Sequence, residues 1–518
     1  MDIIAQINAW INEKDPSKAP PVYWLAGLAG LGKTTIAYTI CESLNDARVP
    51  FTSYFCSLQL DSRNSKLLVT TLCRSLAELY DPFAANVLST LETNSKVVDD
   101  VLRIQIDELL AKPWQASIRQ CRDLPTAIVV VDALDECDRG SEFLTELLRV
   151  IHANQLTGIK FLVTSRPEPK IVNLCKSFPP NAVCKLHEVD TANVQDDILK
   201  YLQEALPELK DGPELALLSQ RAGGLFIYAT TAVRFISPLD SSRSVSEMRF
   251  HLQAILNSEN LSFHDPSDER LLVDELYGRI LAAAFRDTGV RATRLRILHT
   301  IVCAESRIDA SVLANLMDTD QDTVKKVAES LHAVLYISSK DGCVYWYHAS
   351  FPDFVFSQTR TRISILPHTK REFDAYCDAP THHGVLTRRC FAIMQNSLYF
   401  NMCNLPSSYL LDSEVPELDA SIDEAFSLTL RYILRHWARH LLRATPAENG
   451  TDDLYGLKEF VDKKLLFWIE GMNLIGAKHE CSPLLKDAET WLEKVRFRIK
   501  SLISKSQYTS RERNCPIF

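Results

Sequence analysis

The stretch "GLAGLGKTT", Gly27 to Thr35, constrains the fold of this 518-residue chain more than any other feature. It has the spacing G-x(4)-G-K-[ST] of a phosphate-binding loop, with Lys33 and Thr34 at its last two fixed positions. The loop follows a short apolar run and opens a helical pattern. This context is required, because the backbone N–H groups of the loop and the helix N-terminus hold the phosphates together. The motif therefore predicts a parallel α/β nucleotide-binding core.

The first 190 residues carry the pattern of such a core, since short apolar runs alternate with longer helical patterns. The runs predict strands at 22–27, 52–57, 127–134, 159–166 and 182–189. Helical patterns lie between them, at 34–45, 64–80, 97–112 and 141–154. Parallel strands that are buried on both faces read as continuous apolar runs, as "IVVV" does in the third run. We expect an α/β P-loop NTPase core in which a parallel sheet is flanked by helices.

Beyond residue 190 the pattern predicts helices and one hairpin. Three helices, near 293–304, 309–317 and 320–334, lead into two β-prone runs joined by Asp341-Gly342, a strong turn signal. Three helices followed by a hairpin are the outline of a winged helix. The expected organisation is a P-loop nucleotide-binding domain at 1–190, a small helical domain at 191–260, a winged-helix domain at 265–365, a C-terminal helical domain at 366–500 and a disordered tail at 501–518.

The loop itself supplies the candidate nucleotide ligands. Lys33 is expected to reach the β- and γ-phosphates, and the Thr34 hydroxyl is expected to bind Mg²⁺. The residues predicted to contact the nucleotide are Gly27, Gly30, Leu31, Gly32, Lys33, Thr34 and Thr35.

A second candidate group follows two buried strands. The run "IVVVDALDECD" ends its apolar part at Asp132, the position of an acid that holds Mg²⁺. Asp135 and Glu136 come next, and either carboxylate could deprotonate the attacking water, so the pattern leaves the base open between them. Arg166 follows the next strand at the carboxyl edge of the sheet, where ligands of α/β sheets bind. Its guanidinium is expected to stabilise charge on the γ-phosphate.

Five motifs in order give the chain a family resemblance: "GLAGLGKTT", "VVVDALDEC", "LVTSRPEP", "RAGGLFIYA" and "YHASFPDF". The chain resembles the NACHT-type members of the STAND class of signalling NTPases, in particular the fungal NOD-like receptors with a nephrocystin-like NTPase region. The resemblance extends over about 20–490. It implies a molecular switch that ADP holds closed and ATP opens for self-oligomerisation, with slow Mg²⁺-dependent hydrolysis. It also implies a role in innate immunity or self/non-self recognition.

The resemblance assigns a role to His348 in "HASFPDF", because a histidine at this position contacts the β-phosphate of bound ADP in the family. The chain departs from the family in the small helical domain, where many relatives carry Gly-x-Pro near the adenine. This chain has Gly223-Gly224-Leu225-Phe226 and no proline there, so GTP remains an alternative to ATP/ADP. The chain matches the central part of such proteins, so effector or sensor proteins are expected to act in trans.

Two other functions are alternatives to the switch. A P-loop enzyme with sustained turnover, either a kinase or a motor ATPase, would not need the "HASFPDF" segment. A nucleic-acid-binding regulator would need dense Lys and Arg, whereas the net charge is −9 and the winged-helix segment is acidic. We therefore expect no nucleic-acid partner.

The membrane is likewise not an expected partner, and the expected localisation is cytoplasmic. The chain start lacks the basic segment of a signal peptide, and no apolar run approaches a membrane span of roughly 20 residues. The ending Cys515-Pro-Ile-Phe fits a prenylation motif only loosely, because proline is a poor aliphatic residue at that position.

Overall fold

The computed structural model describes residues 3–15, 18–59, 65–121, 124–176, 178–186, 191–238, 243–257, 269–287, 289–366, 369–407, 409–410, 414–445 and 451–512. The chain forms two compact units. The first comprises Met1–Leu276 together with His348–Ser350, and the second comprises Tyr277–Tyr347 together with Phe351–Phe518.

A five-stranded parallel sheet forms the centre of the first unit. Its strands are β1 (Val22–Ala26), β2 (Phe51–Phe55), β3 (Ala127–Asp132), β4 (Ile159–Ser165) and β5 (Val183–Lys185). Their order across the sheet is β2-β3-β4-β1-β5, so β4 lies between the strand that leads into the phosphate loop and the strand that ends in Asp132. The predicted parallel α/β fold is confirmed.

Both faces of this sheet are covered, which explains the continuous apolar runs. In β3, Val129 and Val131 pack into one core while Ile128 and Val130 pack into the core on the other face. The strand ends at Asp132, two residues earlier than the predicted 134, because Ala133 adopts a left-handed backbone with φ 53°. The fifth strand is also shorter than predicted, and residues 187–190 of the predicted run lie outside the described part of the chain.

Helices account for most of the remaining structure. Those before residue 290 are α1 (Ile3–Asn12), α2 (Lys33–Asp46), α3 (Ser65–Leu79), α4 (Asp81–Thr93), α5 (Leu102–Gln105), α6 (Lys112–Gln120), α7 (Gly140–His152), α8 (Pro169–Cys175), α9 (Thr191–Ala205), α10 (Glu214–Ala222), α11 (Phe226–Ile236), α12 (Val245–Leu256) and α13 (Glu269–Ala284). A π-helical segment, Ile106–Ala111, connects α5 to α6. The helix predicted at 97–112 therefore begins later and extends further than its pattern indicated.

The second unit begins with three helices and a hairpin, in the predicted order. The helices are α14 (Arg291–Cys303), α15 (Ala310–Met317) and α16 (Gln321–Ser330), and the antiparallel strands are β6 (Leu335–Ile337) and β7 (Val344–Trp346). A single β-bridge joins Asp309, before α15, to Cys343. These elements are those expected of a winged helix, and the assignment itself stays a prediction.

The region after this hairpin is mostly helical, with one hairpin that the sequence pattern did not indicate. The helices are α17 (Ser350–Val355), α18 (Ala379–Ser397), α19 (Leu418–Ala425), α20 (Leu428–Arg443), α21 (Thr451–Lys463), α22 (Leu465–Leu474) and α23 (Cys481–Glu512). The added hairpin consists of β8 (Arg362–Leu366) and β9 (Thr369–Asp374), so the predicted helical domain at 366–500 contains a strand.

The last helix continues past residue 500, where the sequence predicts a disordered tail. Cys515, the residue of the weak prenylation motif, lies outside the described residues. Within the described part of the chain, no helix combines the length and the apolar character that a membrane span requires.

Candidate functional site

The phosphate loop connects β1 to α2 and has the backbone of an anion-binding turn. Gly30 and Gly32 have φ values of 85° and 83°, a left-handed conformation that glycine adopts without steric cost. Gly32 is the N-cap residue of α2, so the helix begins at Lys33. The N–H group of Gly27 donates to the carbonyl of Ser165 (3.2 Å), which fixes the start of the loop against the end of β4.

Lys33 folds back over the loop. Its Nζ atom donates to the carbonyl oxygens of Gly27 (2.8 Å) and Leu28 (2.9 Å). Burial lowers the pKa of Lys33, and the charges of nearby carboxylates, Asp135 foremost, oppose that shift. A cation that is partly desolvated at a turn of backbone N–H groups is suited to hold phosphate oxygens.

Asp132, at the end of β3, is held by two hydroxyl groups. Thr34 Oγ1 donates to its Oδ2 atom (2.8 Å), and Thr164 Oγ1 donates to its Oδ1 atom (2.6 Å). Burial raises the pKa of Asp132, while these two hydrogen bonds and the charge of Lys33 oppose the rise. A desolvated carboxylate beside a loop threonine has the donor set of a Mg²⁺ site.

Asp135 and Glu136 lie in the short 3₁₀ turn after β3, where their environments differ. Asp135 is engaged by Arg166, whose backbone N–H donates to Oδ1 (3.0 Å) and whose Nε lies 3.1 Å from Oδ2. Glu136 is more loosely held, with the N–H of Leu58 at 3.4 Å and Arg166 Nη2 at 4.0 Å.

The surroundings of Glu136 suit a proton acceptor. Burial, followed by the charge of Asp135, raises its pKa to about 7, while the charge of Arg166 opposes the rise. Its side chain is 21% exposed, against 4% for Asp135. A general base works best with a pKa near the operating pH and with access to water, so Glu136 fits that role better than Asp135 does.

His348 belongs to the same compact unit as the loop, although it follows β7. Burial lowers its pKa to about 3, and the positive charges of Arg166, Lys33 and Arg234 add to the effect. The N–H of Ser350 donates to its Nδ1 atom (3.1 Å). Because Nδ1 accepts this bond, the proton of the neutral ring lies on Nε2. His348 is therefore an uncharged Nε2–H donor among three cations.

Residues 4–166 match the sequence profile of the family described as Nephrocystin 3, N-terminal. This part of the chain is similar to the N-terminal region of nephrocystin 3. The match confirms that element of the predicted resemblance and covers the loop, the acidic strand end and Arg166. No curated protein sequence matches the chain.

Three solved structures have a weak likeness to the chain. A STAND protein with a tetratricopeptide repeat sensor from Pyrococcus horikoshii has 13% identity and a TM-score of 0.38, with 92% of this chain and 62% of that protein covered. A mutant of RuvB from Thermotoga maritima has 13% identity and a TM-score of 0.29, with coverages of 66% and 90%. Cdc6p from Pyrobaculum aerophilum has 11% identity and a TM-score of 0.29, with coverages of 66% and 88%.

These likenesses carry no functional argument at such identities and TM-scores. The chain spans 62% of the length of the STAND protein from Pyrococcus horikoshii.

The matched region brings the sequence-predicted side chains of its three motifs to one edge of the sheet. Lys33, Thr34, Asp132, Asp135, Glu136 and Arg166 form one connected set of hydrogen bonds and charges. Leu31 lies within the loop, and Thr35 lies in the first turn of α2, where its carbonyl accepts from Thr39 Oγ1.

Three residues at this edge were not predicted from the sequence. Thr164 was detectable as the polar residue within the apolar run "FLVTS", and Arg234 as the cation within the apolar helix "FIYATTAVRFI". Ile227 gave no signal, yet its backbone N–H donates to the carbonyl of Gly30 (3.2 Å) and brings the start of α11 against the loop.

Proposed function

We propose that this chain is a STAND-type signalling NTPase, in which bound ATP or ADP sets the state of a switch that controls self-oligomerisation. The observation that carries the proposal is the position of His348. This residue follows the second strand of the predicted winged-helix hairpin, yet it belongs to the compact unit of the phosphate loop. The positive charges of Arg166 and Lys33 contribute to its lowered pKa. A switch needs a later chain segment that senses the nucleotide, whereas a kinase or a motor ATPase does not.

The hydrogen bonds of the loop support the following nucleotide-binding roles. Lys33 and the backbone of the loop would hold the β- and γ-phosphates, and Thr34 with Asp132 would hold Mg²⁺. Glu136 acts as the base of slow hydrolysis. Asp135 orients Arg166 through its two contacts, and the guanidinium would then face the γ-phosphate of a bound nucleotide.

His348 supplies the coupling between the nucleotide and the switch. Its Nε2–H, left available because Nδ1 accepts from Ser350, would donate to the β-phosphate of ADP and keep the hairpin segment in the closed, monomeric state. Exchange for ATP weakens this bond and permits oligomerisation. The setting that fits such a switch is cytoplasmic signalling in innate immunity or self/non-self recognition, with effector or sensor proteins acting in trans.

The test compares ADP release in the wild-type chain with release in His348→Ala and His348→Gln. Glutamine places an amide N–H close to the position of Nε2, so it should preserve ADP retention, whereas alanine should speed release about tenfold or more, the value of one hydrogen bond to a charged group. Light scattering should show larger assemblies for the alanine variant. An unchanged release rate together with an unchanged mass would refute the switch.

Nucleotide content distinguishes the switch from an enzyme with sustained turnover. The purified wild-type chain should carry tightly bound ADP, and adenine should be preferred over guanine when the two diphosphates compete. Rapid ADP loss with continuous hydrolysis would instead indicate a kinase or a motor ATPase.

A further inference from the structure

Three side chains of types that can ligate a metal meet inside the second unit. Glu305 follows α14, His383 lies on α18 and His440 lies on α20. The two imidazole Nδ1 atoms are 2.9 Å apart. One ligand atom from each of the three residues lies within 4.8 Å of the others. Glu305 and His383 are each 4% exposed and His440 is 0% exposed, so this cluster is part of the interior.

The contacts around the cluster orient its members. The hydroxyl of Tyr432 lies 2.9 Å from Nε2 of His440 and also accepts the backbone N–H of Glu305 (3.2 Å). Arg443 Nη1 lies 3.1 Å from the carboxylate of Glu305. The guanidinium is half-exposed, so water screens part of its attraction for this buried charge.

Both imidazoles turn a ring nitrogen towards the centre of the cluster, since the Nδ1 atoms of His383 and His440 face each other at 2.9 Å. Two facing Nδ1 atoms can share only one proton. When Nε2–H of His440 donates to Tyr432, the Nδ1 lone pair of His440 points at its neighbours, which is the usual outer contact of a metal-bound histidine.

We propose that Glu305, His383 and His440 form a binding site for a divalent transition metal ion of the zinc class. Two imidazole nitrogens and one carboxylate oxygen are a common zinc donor set, with a water molecule in the fourth position. Zinc–nitrogen bonds of about 2.0–2.1 Å place two tetrahedral nitrogens roughly 3.3 Å apart. The two rings therefore need to separate by only a few tenths of an ångström from their present 2.9 Å.

The site connects three segments of the second unit. Its ligands come from the segment after α14 and from α18 and α20, so a bound ion would tie these elements together. The cluster is buried and its basic nitrogens are not exposed to substrates, which favours a structural role. Metal binding to the folded chain should then raise its unfolding temperature.

The experiment uses the full-length chain, stripped with a chelator and titrated with zinc chloride. The wild-type chain should bind one zinc ion per chain with micromolar or tighter affinity, and its unfolding midpoint should rise by about 5 °C or more at saturation. His440→Gln keeps an amide nitrogen near Nε2 for Tyr432 and removes the Nδ1 ligand. It should weaken binding at least tenfold, as should Glu305→Gln.

Matched controls come from two neighbouring buried histidines. His382 lies on α18 next to His383, and His436 lies on α20 one turn before His440. The control variants are His382→Gln and His436→Gln. Both variants lose an imidazole that belongs to no ligand group, so both should bind zinc like the wild type. Equal affinity in His440→Gln and the wild type would overturn the site, and so would equal losses in the controls.

X-ray absorption of the zinc-loaded wild-type chain covers the case in which the ligand variants do not fold. The first shell should contain two imidazoles and oxygen. Sulfur in that shell would overturn the proposal and point to the cysteine pair Cys303 and Cys377, whose sulfur atoms lie 3.7 Å apart. Failure of the wild-type chain to bind one zinc ion would also overturn it, and neither result would bear on the nucleotide switch.

Discussion

Thr34 donates a 2.8 Å hydrogen bond to Asp132, which lies 98 residues further along the chain. Thr34 lies in the first turn of α2, and Asp132 ends β3, which lies two positions from β1 in the sheet. The contact sets a hydroxyl beside a buried carboxylate. This is the arrangement in which P-loop proteins hold Mg²⁺ against the phosphates.

Thr164 is predicted to support this pair from the strand in between. Thr164→Val removes its bond to Asp132 and leaves the N–H of Ala133, which donates to Thr164 Oγ1 (2.9 Å), without an acceptor. The free energy of unfolding should fall by about 1–3 kcal/mol. The pKa of Asp132 should also rise, since the lost bond lowers it, so Mg²⁺-dependent nucleotide binding should weaken at mildly acidic pH. Urea denaturation and nucleotide titrations measure both effects, and Thr164→Ser, which keeps the hydroxyl, should restore them.

Lys33→Ala should lower nucleotide affinity by about tenfold to a hundredfold or more, because it removes a charge-assisted contact to the phosphates. Fluorescent nucleotide titration measures the loss. Lys170→Ala is the control, because this substitution also removes one positive charge and Lys170 is exposed on α8. Retained affinity in Lys33→Ala, or an equal loss in Lys170→Ala, would contradict the assigned role of the loop.

Glu136 and Asp135 are predicted to give different kinetic phenotypes. Glu136→Gln should slow hydrolysis by about a hundredfold or more with little loss of ATP binding, as expected for a general base. Asp135→Asn should weaken the orientation of Arg166 and reduce both binding and hydrolysis. Single-turnover hydrolysis and binding assays separate these effects. If neither variant slows hydrolysis, the base lies elsewhere.

The pH dependence of stability tests the environment of Glu136 independently. Its folded pKa of about 7 lies above the ordinary value of 4.5, so the folded state binds the proton more tightly than the unfolded state does. The wild-type chain should therefore lose stability relative to Glu136→Gln as the pH rises from 4.5 through 7. The difference should reach roughly 3 kcal/mol, since each pKa unit corresponds to about 1.4 kcal/mol. Chemical denaturation of both nucleotide-free proteins across this range measures it, and a constant difference would contradict the raised pKa.

The sequence predicted the parts of this site that depend on local pattern. The phosphate loop, Asp132 and Arg166 were identifiable because each directly follows an apolar strand run, and parallel strands bring their carboxyl ends to one edge. The residues that only long-range packing brings to the site were not identifiable. No local feature of Ile227 predicts the hydrogen bond from its N–H to the carbonyl of Gly30. The hydrogen bond from Thr164 to Asp132 depends on the strand order, which places β4 beside β3.

Local backbone conformation explains the errors at the element ends. The apolar run of β3 continues to Leu134, but Ala133 turns left-handed and the strand stops at Asp132. The β8–β9 hairpin was overlooked because "TKREFD" is polar and charged, which is atypical of a strand. The role of His348 came from the family resemblance. Its surroundings of Arg166, Lys33 and Arg234 were visible only in the structure.

Gly30→Ala should disrupt the contact between the loop and α11. A Cβ atom at Gly30 would lie 2.0 Å from Cγ2 of Ile227, and the φ of 85° adds strain. Gly32→Ala is the matched control, because its φ of 83° brings the same strain while no atom lies within 4 Å of the added Cβ. Without nucleotide, Gly32→Ala should lower the free energy of unfolding by about 1 kcal/mol, and Gly30→Ala should lower it by about 1–3 kcal/mol more. Hydrogen exchange of α11 amides should accelerate only in Gly30→Ala, and adding Ile227→Gly should recover most of the extra loss in stability. Equal exchange in both glycine variants would show that α11 does not rest on the loop.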